Sequence, residues 1–403
     1  MAVFSPAIAT SVVAPVIVIA PDSFKGSLSA QQVAAAIGEG ILRALPDAVV
    51  RLCPIADGGE GTLDALMHAG GEVLRLPVRG AGGAPILAAA GVLSDGSAVI
   101  ESAEIVSLTD PVGTAVSVEN RSTFGIGDAL LSLMDKGQRR FLIGLGGSST
   151  NDAGMGMLHA LGIRLYDSQE HELAPIPSEL ARLARIDASG LDKRIPELEL
   201  VAMSDVNNPL CGPTGATAVF GPQKGVLPEQ VKPLDASLAH FASLLQTAMG
   251  RQAADLPGAG AAGGIGFGLL MLGAHFESGA ETVANHIGLD AALSGADWLI
   301  TGEGRSDAQT LHGKAPFIAS RRARQAGVAA TLLSGGIEPQ ALPELNRHFS
   351  GCFSIVFGPI SLQDAIANAE QLLRDRAEQL AQLWKIASAA QAIKQAIKTT
   401  SCI

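Results

Sequence analysis

The sequence predicts an α/β chain of two domains, a discontinuous one built from both ends of the chain and a large one inserted into it. Three observations carry this. The 403 residues exceed what one typical hydrophobic core organises. Apolar runs of strand length recur, each closed by a glycine-rich loop and followed by a helical pattern. These strand, loop and helix units share one style at the two ends of the chain, whereas residues 72 to 288 follow a different rhythm. The expected boundaries are 1–75 with 289–385 for a Rossmann-like three-layer domain, 76–288 for an inserted α/β domain with a mixed sheet, and 386–403 for a helical C-terminal extension.

Composition narrows the function classes. An apolar fraction of 47% with 17% charged residues describes a chain that folds compactly. The net charge of −11 argues against a nucleic-acid or anionic membrane surface. An anionic small ligand must then be held by local cations or helix ends. The 47 glycines follow no collagen-like period and cluster beside acidic or basic residues, as in loops that touch a ligand. Cys53, Cys211, Cys352 and Cys402 form no CxxC pair, and the histidines form no HExxH spacing, which fits a reduced compartment and disfavours structural zinc. No Lys or Arg precedes Lys25, so the apolar first 20 residues lack the positive start of a signal peptide, and Pro6 and Pro15 interrupt them. The apolar run at 264–274 is too short to span a bilayer. A cytoplasmic protein is expected.

Residues 16–20 (VIVIA) read as a buried parallel strand, and Ser29 with Gln32 gives the capping box of a helix whose apolar stripe is Val33, Ala36, Ile37, Gly40 and Ile41. Asp22, Ser23 and Lys25 therefore stand at the carboxyl end of a strand, where open α/β sheets bind ligands. A solvated loop lysine is the plainer reading of Lys25; its Asp, Ser and Gly neighbours favour function. Residues 49–54 repeat the pattern and lead into IADGGEGT and a helix through Ala69. There Asp57 and Glu60 bracket two glycines, so both carboxylates can reach a ligand or Mg²⁺. Helix capping explains one of the two acids, and less well both.

In the middle of the chain, turns at residues 80–83 and Gly91, a strand-like run at 98–101 and a helix opened by Phe124 suggest a mixed unit. Residues 141–156 (FLIGLGGSSTNDAGMG) then give a strand, a polar glycine loop and a helix running toward Leu161, with Thr150, Asn151 and Asp152 offering N-cap chemistry. Gly154 and Gly156 fall in the first turns, where each costs about 1 kcal/mol relative to Ala. Accepting that penalty implies close backbone approach. Backbone N–H groups and hydroxyls at a helix start suit phosphate, and a tight packing turn is the equally weighted alternative. Residues 201–204 form a short strand ending at Asp205, a metal ligand, a base or ordinary turn chemistry. Lys224, between glycines in FGPQKG, can reach a phosphate. Residues 258–263 match GxGxxG, but AADLP and not a strand precedes them, so the match is read as a glycine-rich loop that can still face a ligand. Strands at 298–300, 328–333 and 353–357 restore the opening style, and the chain reads as helical from 361 to about 398.

Taken together, APDSFKGSLSA from Ala20, PIADGGEGT from Pro54, GLGGSSTNDAGMG from Gly144 and ITGEGRSDAQTLHGKAP from Ile300 closely resemble motifs of the type I glycerate kinase family. DVNNPLCG from Asp205, FGPQKG from Phe220 and PGAGAAGGIGFG from Pro257 extend the resemblance over residues 16–361, in family order. It implies a two-domain kinase that phosphorylates D-glycerate with MgATP, usually at the 2-hydroxyl, in a cleft between a Rossmann-like domain and an inserted one. FGIGDAL from Phe124 stands where the family tends to have Tyr-Gly-Thr-Gly-Glu, and Met203-Ser204-Asp205 where a Cys-Asp pair is common.

No Walker A sequence occurs, yet several glycine loops carry an acid or a base, the parts that phosphoryl transfer needs. The expectation that follows assigns Gly146, Gly147, Ser148, Ser149 and Thr150 to a phosphate cradle, with Lys224 or Lys25 adding positive charge. Asp57, Glu60, Asp205, Glu303 and Asp307 form the pool for Mg²⁺ ligands and the base, with Asp152 and Asp205 the first choices for the base. Arg305 or Lys314 binds the glycerate carboxylate, with Ser23 and Asp57 also facing substrate. The partners expected are ATP and D-glycerate, with a homodimer left open. The alternatives are a kinase of another small hydroxy acid, a 3-phosphoglycerate-forming enzyme, a noncatalytic glycerate sensor and, on GxGxxG alone, a nicotinamide oxidoreductase.

Overall fold

The computed structural model of the protein describes residues 14–400. The reading of the first residues as lacking a signal peptide falls largely on positions 1–13, outside the described residues, as do the last three positions of the C-terminal extension. Fifteen strands are present among the described residues: β1 Val16–Ile19, β2 Val49–Leu52, β3 Gly71–Arg79, β4 Pro85–Leu93, β5 Ala98–Glu101, β6 Arg140–Gly144, β7 Arg164–Asp167, β8 Leu183–Asp187, β9 Glu199–Met203, β10 His275–Glu277, β11 Trp298–Thr301, β12 Arg305–Ser306, β13 Ala329–Ser334, β14 Gly336–Ile337 and β15 Gly351–Ser354. The fold is mixed α/β with several sheets, as expected. The described residues divide into two compact units, one holding residues 14–53, Asp290–Ser306 and residues 319–400, the other Pro54–Leu289 and Asp307–Ile318.

The first unit is built on a parallel sheet of order β15-β13-β11-β1-β2. β1 is buried through Ile17, Val18 and Ile19, as its unbroken apolar run requires, whereas β2 lies on the edge and exposes Val49 and Leu52. Helix Ala30–Ala44 starts at the expected capping box: Ser29 Oγ accepts from Gln32 N–H (3.2 Å) and Gln32 Oε1 accepts from Ser29 N–H (2.9 Å). Its Val33, Ile37 and Ile41 are fully buried with Leu373, Ala377 and Ala381 of the long helix Ala369–Thr400 in one core. Burying each such large side chain is worth about 1.5–3 kcal/mol. Trp384 of that helix stacks on Trp298 of β11 at 6.0 Å between ring centroids. Strand order reverses at β1 and β11, and the Asp22 N–H donates to the Gly302 carbonyl over 2.8 Å at that point. The loops after β1 and β11 thus lie side by side at the carboxyl edge, the usual ligand edge of an open sheet.

The second unit carries a mixed sheet of order β10-β9-β6-β5-β4-β3. β3 and β4 form a long antiparallel hairpin, while β5, β6, β9 and β10 run parallel and bring their carboxyl ends to one edge. Phe141, Ile143, Ile100, Phe241 and Phe267 fill its core. Ile126, at the position where the family tends to have Thr, is fully buried in the same core, so packing accounts for it. No helix among the described residues is long and apolar enough to cross a membrane.

Candidate active site

β6 ends at Gly144, and the loop that follows is pinned from two sides. The Gly146 N–H donates to the Gly58 carbonyl (3.2 Å), and the Ser149 N–H to the Val106 carbonyl (2.7 Å). The Ser149 hydroxyl also donates to Val106 O (3.0 Å). Two of the five expected cradle residues therefore spend these groups inside the protein. Gly147 remains exposed at the tip with φ +74°, a left-handed backbone that favours glycine. The Thr150 hydroxyl and the Asn151 side-chain carbonyl are buried and find no partner in the protein.

Two buried cations brace this loop from beneath. Lys224 Nζ donates to Ser148 Oγ (3.0 Å) and to the Thr150 carbonyl (2.7 Å). Arg121 Nη1 donates to the carbonyls of Ser149 (3.0 Å) and of Lys224 itself (2.9 Å). Burial pushes the Lys224 ammonium down to about 7; the neighbouring Asp152 opposes this and Arg121 adds to it. Sequence reading missed Arg121, because its partners are backbone carbonyls, which carry no residue-type signature. Residues 258–263, the GxGxxG match, press on the same place: Ala262, Gly263 and Gly264 all have positive φ, and the Gly263 carbonyl accepts from Ala153 N–H over 3.0 Å. That stretch is a packing partner of residues 150–153.

The helix after the loop begins later than the sequence suggested. It spans Met155–Ala160 behind a left-handed Gly154, so Thr150, Asn151 and Asp152 belong to the loop. Asp152 is fully buried, and its carboxylate accepts from Thr123 N–H and Oγ1 (2.8 Å each), Gly154 N–H (3.2 Å) and Gly156 N–H (3.1 Å). Burial raises its pKa against those four donors. A carboxylate so enclosed ties loop to helix, and all four of these donors come from the protein itself.

Asp205 has the opposite setting. It follows β9 at the same edge and is exposed on one side, while the protein around its other side raises its carboxyl to about 6. Ser278 hydrogen-bonds to it and lowers the pKa, and the charge of Asp57 raises it. Asp57 Oδ1 accepts from Gly59 N–H (3.1 Å), which orders the loop that carries it. A Cβ on Gly313 would lie 3.5 Å from the Asp205 carboxyl carbon, so residues 307–318 pass close to it. In that segment Asp307 accepts from Gln309 N–H (2.8 Å) and caps a short 3₁₀ turn, and Lys314 precedes helix Ala315–Gln325.

In the first unit, Ser23 and Asp22 are buried at the carboxyl end of β1, and the Ser23 hydroxyl has no partner in the protein. Glu303 is buried after β11 and accepts from Ser306 Oγ (3.1 Å). Lys25 and Arg305 are exposed. Among the described residues, no three His, Cys, Asp or Glu side chains form a group that could hold a metal ion. Asp57 still lies close enough for its charge to raise the Asp205 carboxyl. That suits Mg²⁺, which takes one or two carboxylates and completes its shell with water and phosphate.

Residues 17–385 match the family described as the glycerate kinase family. The chain belongs to that family. As a glycerate kinase family member it is an enzyme and a kinase. It is 41% identical over 379 residues to a glycerate kinase of Bacillus subtilis (strain 168), covering 92% of this chain and 98% of that one. It is 37% identical over 361 residues to a glycerate 2-kinase of Escherichia coli (strain K12), covering 88% of this chain and 93% of the other. A crystal structure assigned to glycerate kinase 2 of Salmonella typhimurium LT2 superposes with a TM-score of 0.80 at 39% identity, covering 94% of this chain and all of that one. The family match ends at residue 385, so the last turns of helix Ala369–Thr400 lie beyond it.

Proposed function

We propose that this glycerate kinase family member transfers the γ-phosphoryl group of ATP to the 2-hydroxyl of D-glycerate, giving 2-phosphoglycerate and ADP. The observation that carries the reading is the contrast between two carboxylates at one sheet edge. Asp152 is closed off, whereas Asp205 is open and raised to about 6, which suits a general base working near neutral pH. Asp205 accepts the hydroxyl proton as the glycerate oxygen attacks the γ-phosphorus, and the bond to the β-phosphate oxygen breaks. Gly147, Ser148 and the Thr150 hydroxyl are the cradle members that remain for the phosphates, with Lys224 holding the loop from beneath. Lys25 supplies positive charge, and Arg305 pairs with the substrate carboxylate. Asp57 would hold Mg²⁺ with Glu60 beside it, and the ion, when bound, neutralises charge on the transferring phosphates. The name of the Escherichia coli relative, glycerate 2-kinase, supports the 2-position.

The test is direct. Purified protein is mixed with MgATP and D-glycerate and followed by phosphorus NMR. A new phosphomonoester split by the single C2 proton is expected; coupling to two C3 protons would reject the regiochemistry, and no product at all would reject the kinase reading.

A further inference from the structure

The acidic loop and the glycine loop of the second unit are fastened to one dipeptide. Glu101 ends β5 in register with Gly144 of β6 and is 2% exposed. Its carboxylate accepts from Gly61 N–H and Leu63 N–H, each over 3.0 Å. These amides open helix Thr62–His68, whose N-cap position is Gly61 at φ +91° and therefore has no side chain to cap with. Ser102 is fully buried and donates from Oγ to the Gly146 carbonyl over 3.1 Å. The two loops also touch directly: a Cβ on Gly146 would stand 2.4 Å from Gly59 Cα.

A Ser or Asp at position 61 could not cap the helix from there, because the left-handed backbone at φ +91° disfavours any side chain, and burying the remote carboxylate that does so is expensive unless strong hydrogen bonds repay it. A cap reaching in from β5 does what a local one cannot. It ties residues 57–61 to the strand edge from which residues 145–154 also emerge.

We propose that Glu101 is a positioning residue of the phosphoryl-transfer site: through Gly61 and Leu63 it fixes the loop bearing Asp57 and Glu60, and with Ser102 it sets that loop's spacing from residues 146–150. This rests on the reading of loop 57–61 as the metal-holding loop and of residues 147–150 as the phosphate loop. Glu101→Gln keeps the shape and leaves one acceptor where there were two. Hydrogen exchange at the Gly61 and Leu63 amides should quicken by about tenfold or more while the rest of the unit keeps its protection. Mn²⁺ affinity, titrated by EPR with ADP present, should weaken by about 10- to 100-fold, and kcat should fall with the glycerate KM within about twofold. A folded Glu101→Gln protein with wild-type Mn²⁺ affinity and kcat overturns the proposal. Asp57→Asn separates the two levels: if it leaves Mn²⁺ affinity unchanged, the metal reading fails and takes this proposal with it; if it weakens binding and Glu101→Gln does not, only the positioning role fails. Should Glu101→Gln not fold, Ser102→Ala cuts the tie to Gly146 alone, and it must lower kcat without moving the melting temperature by more than a few degrees; wild-type kcat overturns the shared role.

Discussion

Lys224 Nζ sits 2.7 Å from the Thr150 carbonyl oxygen inside the protein, with its side chain only 3% exposed. Burial lowers its pKa from 10.5 to about 7, so between those values the unfolded chain binds a proton that the folded one resists. A lowered folded pKa means stability that is greatest above the unfolded value and is lost as pH falls toward the folded one. Stability should therefore drop as pH is lowered from about 10 to about 7, by at most about 1.4 kcal/mol per pH unit from this group. Urea unfolding of the wild type and of Lys224→Met across that range checks it. The Met variant should lose this part of the slope; an unchanged slope would show that Lys224 stays charged in the fold.

The same lysine constrains Gly263. A Cβ there would lie 2.0 Å from the Thr150 carbonyl oxygen and 2.8 Å from Lys224 Nζ, at φ +72°. Gly263→Ala must push the glycine loop away from its brace. A loss of about 3 kcal/mol or more is expected from the clash and the backbone strain together, read as a fall in the urea midpoint. A midpoint within experimental error of wild type would mean that residues 150–153 are not held as tightly as these distances state.

What the sequence made legible and what it hid separate along a physical line. Strands such as β1 and β6 were readable because burial on both faces leaves an unbroken apolar run, and the capping box at Ser29 because its two partners lie three residues apart. The fastening of the loops was not readable. Arg121 and Lys224 act on backbone carbonyls, which carry no residue-type signature, and Glu101 reaches amides 38 and 40 positions away. Asp152 and Asp205 show the same limit for carboxylates. Both close a strand and glycine pattern in the sequence, and only folding decides that one is enclosed by four donors while the other stays open.

Arg305 lies exposed on β12 opposite Gly336, so removing its charge should cost little stability. If it binds the substrate carboxylate, Arg305→Met should raise the glycerate KM by about tenfold or more, leave the nucleotide KM near wild type and lower kcat little. Steady-state kinetics with both substrates varied would show this. An unchanged glycerate KM assigns the carboxylate to another cation, with Lys314 tested next.

Replacing each of the two carboxylates by its amide should separate catalysis from architecture. Asp205→Asn removes the proposed base from an open position, so kcat should fall by about 10²- to 10⁴-fold with the glycerate KM and the melting temperature close to wild type. Asp152→Asn acts on a closed position where an amide offers one acceptor oxygen to four donors. Each buried donor left unsatisfied costs about 1–3 kcal/mol, so this variant should melt well below wild type while the molecules that remain folded keep most of their kcat. Calorimetry and single-turnover kinetics on both variants decide the matter. The reverse pattern, a stable Asp152→Asn that is inactive beside a fully active Asp205→Asn, would move the base to Asp152 and require the loop to open for every turnover.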